Sequence, residues 1–99
     1  MIFNDCRVQS FGAEGEVPGI CLIKLDAKNI ALEYEDEYGQ VVYTGQAEHP
    51  GHYVLRCPDR KGLATLHRMP GSSILEGFWR EGDATGMWRI HLPELVDLA

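Results

Sequence analysis

The sequence predicts an all-β, single-domain protein: an antiparallel up-and-down meander of about eight strands that closes into a small barrel and ends in a short helical tail. Three observations predict it. Apolar and polar residues alternate with period two along most of the chain, as they do when one face of a sheet is buried. Clusters of Gly, Pro, Asn and Asp interrupt that alternation at short intervals. The links "DAKN", "DEYG", "DRKG", "PG" and "GDAT" are long enough for hairpins but too short for the crossovers that parallel strands need.

In chain order, the alternating segments are residues 2–8, 19–25, 30–35, 40–46, 52–57, 63–68, 73–81 and 86–92. The longest link, "QSFGAEGEVP" from Gln9 to Pro18, is Gly-rich and acidic and reads as a mobile loop. In the tail "PELVDLA", Pro93 suits a first helical turn, with Leu95 and Leu98 on one side.

Registers follow from the loops, because a slip of one residue would carry a strand's whole apolar set to the wrong face. A four-residue loop at Gly82–Thr85 sets Trp79 opposite Trp88, Gly77 opposite Ile90 and Leu75 opposite Leu92. Working back, Leu66 faces Leu75, Leu55 faces Leu66, Cys57 faces Ala64 and Tyr43 faces Leu55. Leu32 then faces Tyr43, Tyr34 faces Val41 and Leu25 faces Ile30.

One face thus gathers Cys21, Ile23, Leu25, Ile30, Leu32, Tyr34, Val41, Tyr43, Tyr53, Leu55, Cys57, Leu66, Leu75, Trp79, Trp88, Ile90 and Leu92, without a formal charge. The opposite face carries Glu33, Glu35, Thr44, Arg56, His67, Glu76, Arg80, Arg89 and His91. A twisted sheet with one wholly apolar face hides it by curling into a barrel, which also removes the edge strands; a two-layer sandwich is the alternative.

The up-and-down order, the short hairpins and the Gly-aromatic pattern "LEGFW…GMWRIHL" resemble the small meander barrels of the calycin type, such as lipocalins and avidins. The resemblance implies a barrel and the binding of a small ligand inside it.

Composition bounds the rest. Ninety-nine residues at 44% hydrophobic suit one domain spanning 1–99. There is no apolar run of about 18 residues for a membrane span and no basic start for a signal peptide. Cys6, Cys21 and Cys57 are odd in number and widely spaced, which fits reduced thiols and a cytoplasmic location. The net charge of −6 is concentrated in residues 1–50, with nine acids and three bases, so neither nucleic acid nor a membrane is expected as partner. The acidic run "EYEDE", Glu33–Glu37, reads as a solvated face, with an edge that attracts a basic partner as the alternative.

Two surfaces are candidates for function. Inside, Tyr34, Tyr43, Tyr53, Trp79 and Trp88 supply aromatic walls, and Gly45 and Gly77 remove side chains that would fill the barrel; the same rings and glycines also suit a packed core. Outside, Val54, Ile74, Phe78 and Met87 make the exterior more apolar than a free surface needs, which points to self-association or a protein partner. The same exterior aligns Arg56, Thr65, Glu76 and His91, with His67 and Arg89 diagonal to them, a set that serves proton transfer or plain cross-strand charge pairing.

Catalytic and cofactor signatures are missing. Glu48, His49, His52 and Cys57 lack the second ligand pair that zinc draws from another segment, so no metal site is expected. Ser72 and Ser73 belong to a Pro-Gly turn without G-x-S-x-G context, and neither G-x-x-x-x-G-K-[ST] nor G-x-G-x-x-G occurs. The sequence therefore predicts a cofactor-free, non-enzymatic barrel that acts as an interaction or self-associating scaffold, or alternatively binds a small apolar or aromatic ligand in its interior.

Overall fold

The alternating segments become eight strands in a computed structural model that describes residues 1–12 and 15–93: β1 (Ile2–Gly12), β2 (Gly15–Leu25), β3 (Asn29–Asp36), β4 (Gly39–His49), β5 (His52–Cys57), β6 (Gly62–His67), β7 (Ile74–Glu81) and β8 (Ala84–His91). Each strand pairs antiparallel with the next, and β1 pairs with β8, so the sheet is a closed barrel and the sandwich alternative falls. Arg7–Phe11 form the seam against Met87–His91. The expected helical tail beyond Pro93 lies outside the described residues.

The expected Gln9–Pro18 loop is replaced by strand. β1 and β2 run on as one long hairpin in which Gln9 faces Pro18, Phe11 faces Glu16 and Gly12 faces Gly15. The apolar alternation that marks a strand fades there because Ser10, Gly12, Gly15 and Gly19 occupy positions where core residues would otherwise announce it. A bulge further obscures β1. Asp5 takes a left-handed φ of 56°, which resets the alternation so that Phe3 and Cys6 both point inward although they are three residues apart.

The inward face is the one expected. Cys21, Ile23, Leu25, Ile30, Leu32, Val41, Tyr43, Tyr53, Leu55, Cys57, Leu66, Leu75, Trp88, Ile90 and Leu92 are buried, joined by Phe3, Cys6 and Ala64, with Tyr34 and Trp79 half-buried against them. Partners along that face differ. The pairs Leu25–Ile30, Leu32–Tyr43 and Tyr34–Val41 form as expected. From β4 onward every ladder is displaced by two residues, which preserves the face and changes the neighbour.

The displacements have local causes. Between β7 and β8 the turn has two central residues rather than four, Gly82 and Asp83, and only Gly82 has positive φ (59°), as in the tight turns that match strand twist. Trp79 therefore faces Gly86, Trp88 faces Gly77 and Leu75 faces Ile90, and the two indoles are not partners. Between β5 and β6, Pro58 has no amide proton to extend the ladder; it opens a 3-10 turn instead, and Leu55 faces Ala64 and Cys57 faces Gly62. The tight Pro50-Gly51 turn, which sets His49 opposite His52, and a one-residue bulge between Ala47 and His49 together put Gly45 rather than Tyr43 opposite Leu55. Between β6 and β7, His67 faces Glu76, which places the whole ladder two residues from the expected Leu66–Leu75 register. The Pro70-Gly71 turn itself forms, closed by the Ser72 amide donating to Met69 O at 2.9 Å.

Candidate functional site

Glycines decide where the large rings lie. At Gly77 an added Cβ would collide with the Thr65 carbonyl, so the strand backbones approach closely and Trp88 crosses that position to donate its indole N–H to Thr65 O at 3.0 Å. At Gly86 a Cβ would collide with the Trp79 ring and the Phe11 carbonyl. Trp79 thus lies flat over β8 and reaches β1, where its indole N–H donates to Ser10 Oγ at 3.1 Å. The expected inward glycine Gly45 is also a close approach, to the Val54 backbone, and opens no space.

Not all the aromatic candidates share one environment. Tyr43 is 0% exposed and Tyr53 6%, and Tyr43 packs edge-on to Trp88 with ring centroids 5.7 Å apart. These two tyrosines belong to the filled core. Tyr34, Trp79 and Trp88 instead line a cavity of about 520 Å³. That volume is in the range of small-molecule sites.

The cavity exists because one ladder stops short. β2 and β3 pair only from Leu25–Ile30 to Leu22–Glu33 among the described residues. In the same register, Cys21, Ile20 and Gly19 would next face Tyr34, Glu35 and Asp36; β2 instead follows β1. Pro18, lacking an N–H, suits a strand segment with no partner on that side. Gly19 and Ile20 form one lip of the opening, Tyr34, Glu35 and Asp36 the other, and the tryptophans with Val8, Ser10, Leu32, Glu81 and Ala84 line the interior.

One charge lies on the face expected to have none. Glu81 follows Trp79 on the inward parity of β7, and its Oε2 accepts the Tyr43 hydroxyl at 2.6 Å. Burial, reinforced by that carboxylate, raises the Tyr43 pKa and keeps the phenol protonated as donor. Burial first, then Glu81 and Asp36, raise Tyr34 in the same direction. Asp36 is held ionised: Arg60 grips it with two bonds of 2.8 and 2.9 Å, and its carboxyl pKa falls below the ordinary value. This pair ties the β3–β4 turn to the 3-10 turn after β5. The cavity lining contains three carboxylates and no Lys or Arg, and the indole N–H groups of both tryptophans are already spent on protein acceptors.

Outside, the registers sort the remaining candidates. Phe11, Met87 and Phe78 stand side by side across β1, β8 and β7, with Phe78 42% and Met87 63% exposed. The Phe78 amide donates to Thr65 Oγ1, and Thr65 faces Val54, which continues the row. Ile74 is at the far end of β7, opposite His91. The expected Arg56–Thr65–Glu76–His91 row does not form. Arg56 faces Thr44 and Leu63, and His91 faces Ile74 and contacts Gln9 Oε1 at 2.9 Å. His67, Glu76 and Arg89 are adjacent, but the Arg89–Glu76 contact is 3.5 Å and exposed, a pair of small energetic worth.

Sequence reasoning missed Ser10, Ile20, Glu81 and Gly86. Parity within β7 and β8 could have placed Glu81 and Gly86 inward with the tryptophans; the bulge at Asp5 hid Ser10, and Pro18 was the one signal near Ile20 of a strand without a partner. Cys6 and Cys21, distant in sequence, face each other across β1 and β2, and all three cysteines are free and buried. Burial, with Cys6 beside it, pushes the Cys21 thiol up to about 12. No helix among the described residues is long and apolar enough to cross a membrane. No protein-family model, curated protein or solved structure matches this chain, so the barrel and its cavity are the basis for any reading of function.

Proposed function

We propose that this barrel binds a small ligand with an aromatic or apolar body and a cationic amine, in the cavity between β2 and β3. The observation that carries the reading is a lining that joins Tyr34, Trp79 and Trp88 to Glu35, Asp36 and Glu81; Arg60, outside the lining, neutralises Asp36, which leaves Glu35 and Glu81 to meet a cation. Aromatic faces attract cations as well as apolar surface. With the indole donors already used and carboxylates in the lining, the site is rich in acceptors, which selects a ligand that brings its own donors. The calycin resemblance points to the same use of a barrel.

The test is a tryptophan-fluorescence titration with one aromatic body in three charge states: phenethylamine, ethylbenzene and phenylacetate. The amine is expected to bind best and the carboxylate worst. Equal affinity for all three contradicts the charge assignment, and no fluorescence response to any of them contradicts ligand binding in the cavity.

The scaffold reading is carried by a different observation, the exposed Phe11–Met87–Phe78 row. Its occupant is a second copy of this chain, because an apolar row on a sheet face can meet its own image about a two-fold axis. Sedimentation measures it: the wild type is a dimer and Phe78→Asp a monomer if the row associates. A wild-type protein that stays monomeric at high concentration ends this reading.

A further inference from the structure

The chain has a pair of imidazoles that the ligand cavity does not use. His52 on β5 faces His67 on β6 directly, both are exposed, and their Nδ1 atoms stand 2.7 Å apart with ring centroids at 4.9 Å. A contact that short needs one nitrogen to donate and the other to accept. His49 flanks the pair, its ring centroid 6.4 Å from that of His52, and Glu76 faces His67 from β7. The second segment that "EHPGHYVLRC" lacks as a metal motif is thus supplied from β6.

We propose that His52 and His67 chelate a divalent transition-metal ion through their facing Nδ1 atoms, in the cis arrangement favoured by Ni²⁺ and Cu²⁺. Two nitrogens each about 2.0–2.1 Å from one ion stand about 2.9 Å apart at a right angle and about 3.3 Å apart at the tetrahedral angle. The observed 2.7 Å is nearer the first. The paired strands fix the two Cβ positions, and exposed rings open by a few tenths of an ångström without moving the backbone, so little ordering remains to be done on binding. As the ion enters, the donor ring moves its proton from Nδ1 to Nε2, both rings present lone pairs, and no net proton is released from the neutral pair. No group of three His, Cys, Asp or Glu side chains converges as a metal site among the described residues, so water completes the coordination and the ion is exchangeable. Glu76, paired with Arg89, adds negative charge beside His67 without displacing those waters.

The experiment is a Ni²⁺ titration of the full chain at pH 7.5 by calorimetry, with imidazole resonances followed in parallel by NMR. The wild type takes up one ion, and paramagnetic broadening centres on His52 and His67. His52→Gln and His67→Gln each weaken binding by at least the roughly tenfold that loss of even a supporting group costs a metal site, whereas His91→Gln leaves it unchanged. Both variants alter exposed side chains, and a melting curve matching wild type confirms that they fold. Unchanged Ni²⁺ affinity in either variant, or no uptake by the wild type at millimolar Ni²⁺, overturns the proposal.

Discussion

The barrel has a sealed region behind Trp88 and an open one in front of Trp79, and Trp88 borders both. Beside Trp88, β6 and β7 approach so closely at Gly77 that no side chain fits, the indole is 6% exposed, and Tyr43, packed edge-on to it, is at 0% like Leu55 and Leu66 of the same core. Around Trp79 the same device operates, with a ring laid over Gly86, yet the neighbouring wall opens because β2 leaves β3 beyond Leu22. Trp88 is thus core on one side and cavity wall on the other, whereas the half-buried Trp79 lies at the open wall. The difference lies in strand pairing, not in residue type.

Substitutions break this comparison in graded steps. Gly77→Ala is expected to be the most damaging, because the new methyl meets backbone that cannot rotate away; a loss of about 3 kcal/mol or more is expected from urea denaturation. Leu55→Ala, in the sealed region, should cost about 2–5 kcal/mol by the same measurement, whereas Val8→Ala, beside the cavity, should cost less than about 1 kcal/mol because its neighbours already border open space. If both truncations cost the same, the two regions are packed alike and the cavity is not a distinct environment.

Trp79→Phe is expected to cost about 1 kcal/mol, mainly through the lost bond to Ser10 Oγ, while amine binding falls. Calorimetry of binding beside thermal melting separates the two effects.

The smallest effect concerns the lip of the opening. Asp36 has a folded pKa below its unfolded value because Arg60 donates to it. Its contribution to stability is therefore complete above the ordinary carboxylate range and is lost as pH falls through the depressed folded value. Arg60→Gln should flatten that acid-side decline, as read from denaturation midpoints between acid and neutral pH.

Thiol chemistry offers a check on the burial of the core on both sides of the barrel. Cys6, Cys21 and Cys57 are buried, and Cys21 is pushed up to about 12. None should react promptly with a thiol reagent at pH 8 until the protein is unfolded.

How far the sequence revealed this arrangement depended on which signal carried it. Parity is a property of single residues, so alternation assigned Leu32, Leu55, Trp88 and their neighbours to the correct face even where the assumed turn was wrong. Register depends on turn geometry, and Gly82-Asp83, Pro58 and the Pro50-Gly51 turn with its adjoining bulge each moved a ladder by two residues while leaving that face intact. Metal-ligand pairs and cavities depend on register. His52 and His67 meet, as do Cys6 and Cys21, only once the ladders are known. The end of the β2–β3 ladder had one local marker, Pro18, which is compatible with an unpartnered strand but does not fix where the pairing stops, and the cavity was hidden with it.

The central claim, that the open side of the barrel is a binding site for an amine, is tested most directly by NMR mapping of phenethylamine on the labelled protein. Shifts are expected at the Trp79 indole N–H and at the amides of Gly19, Ile20 and Tyr34, with Leu55 and Leu66 unmoved. Shifts confined to the outer row at Phe78 and Met87, or none at saturating amine, would contradict it.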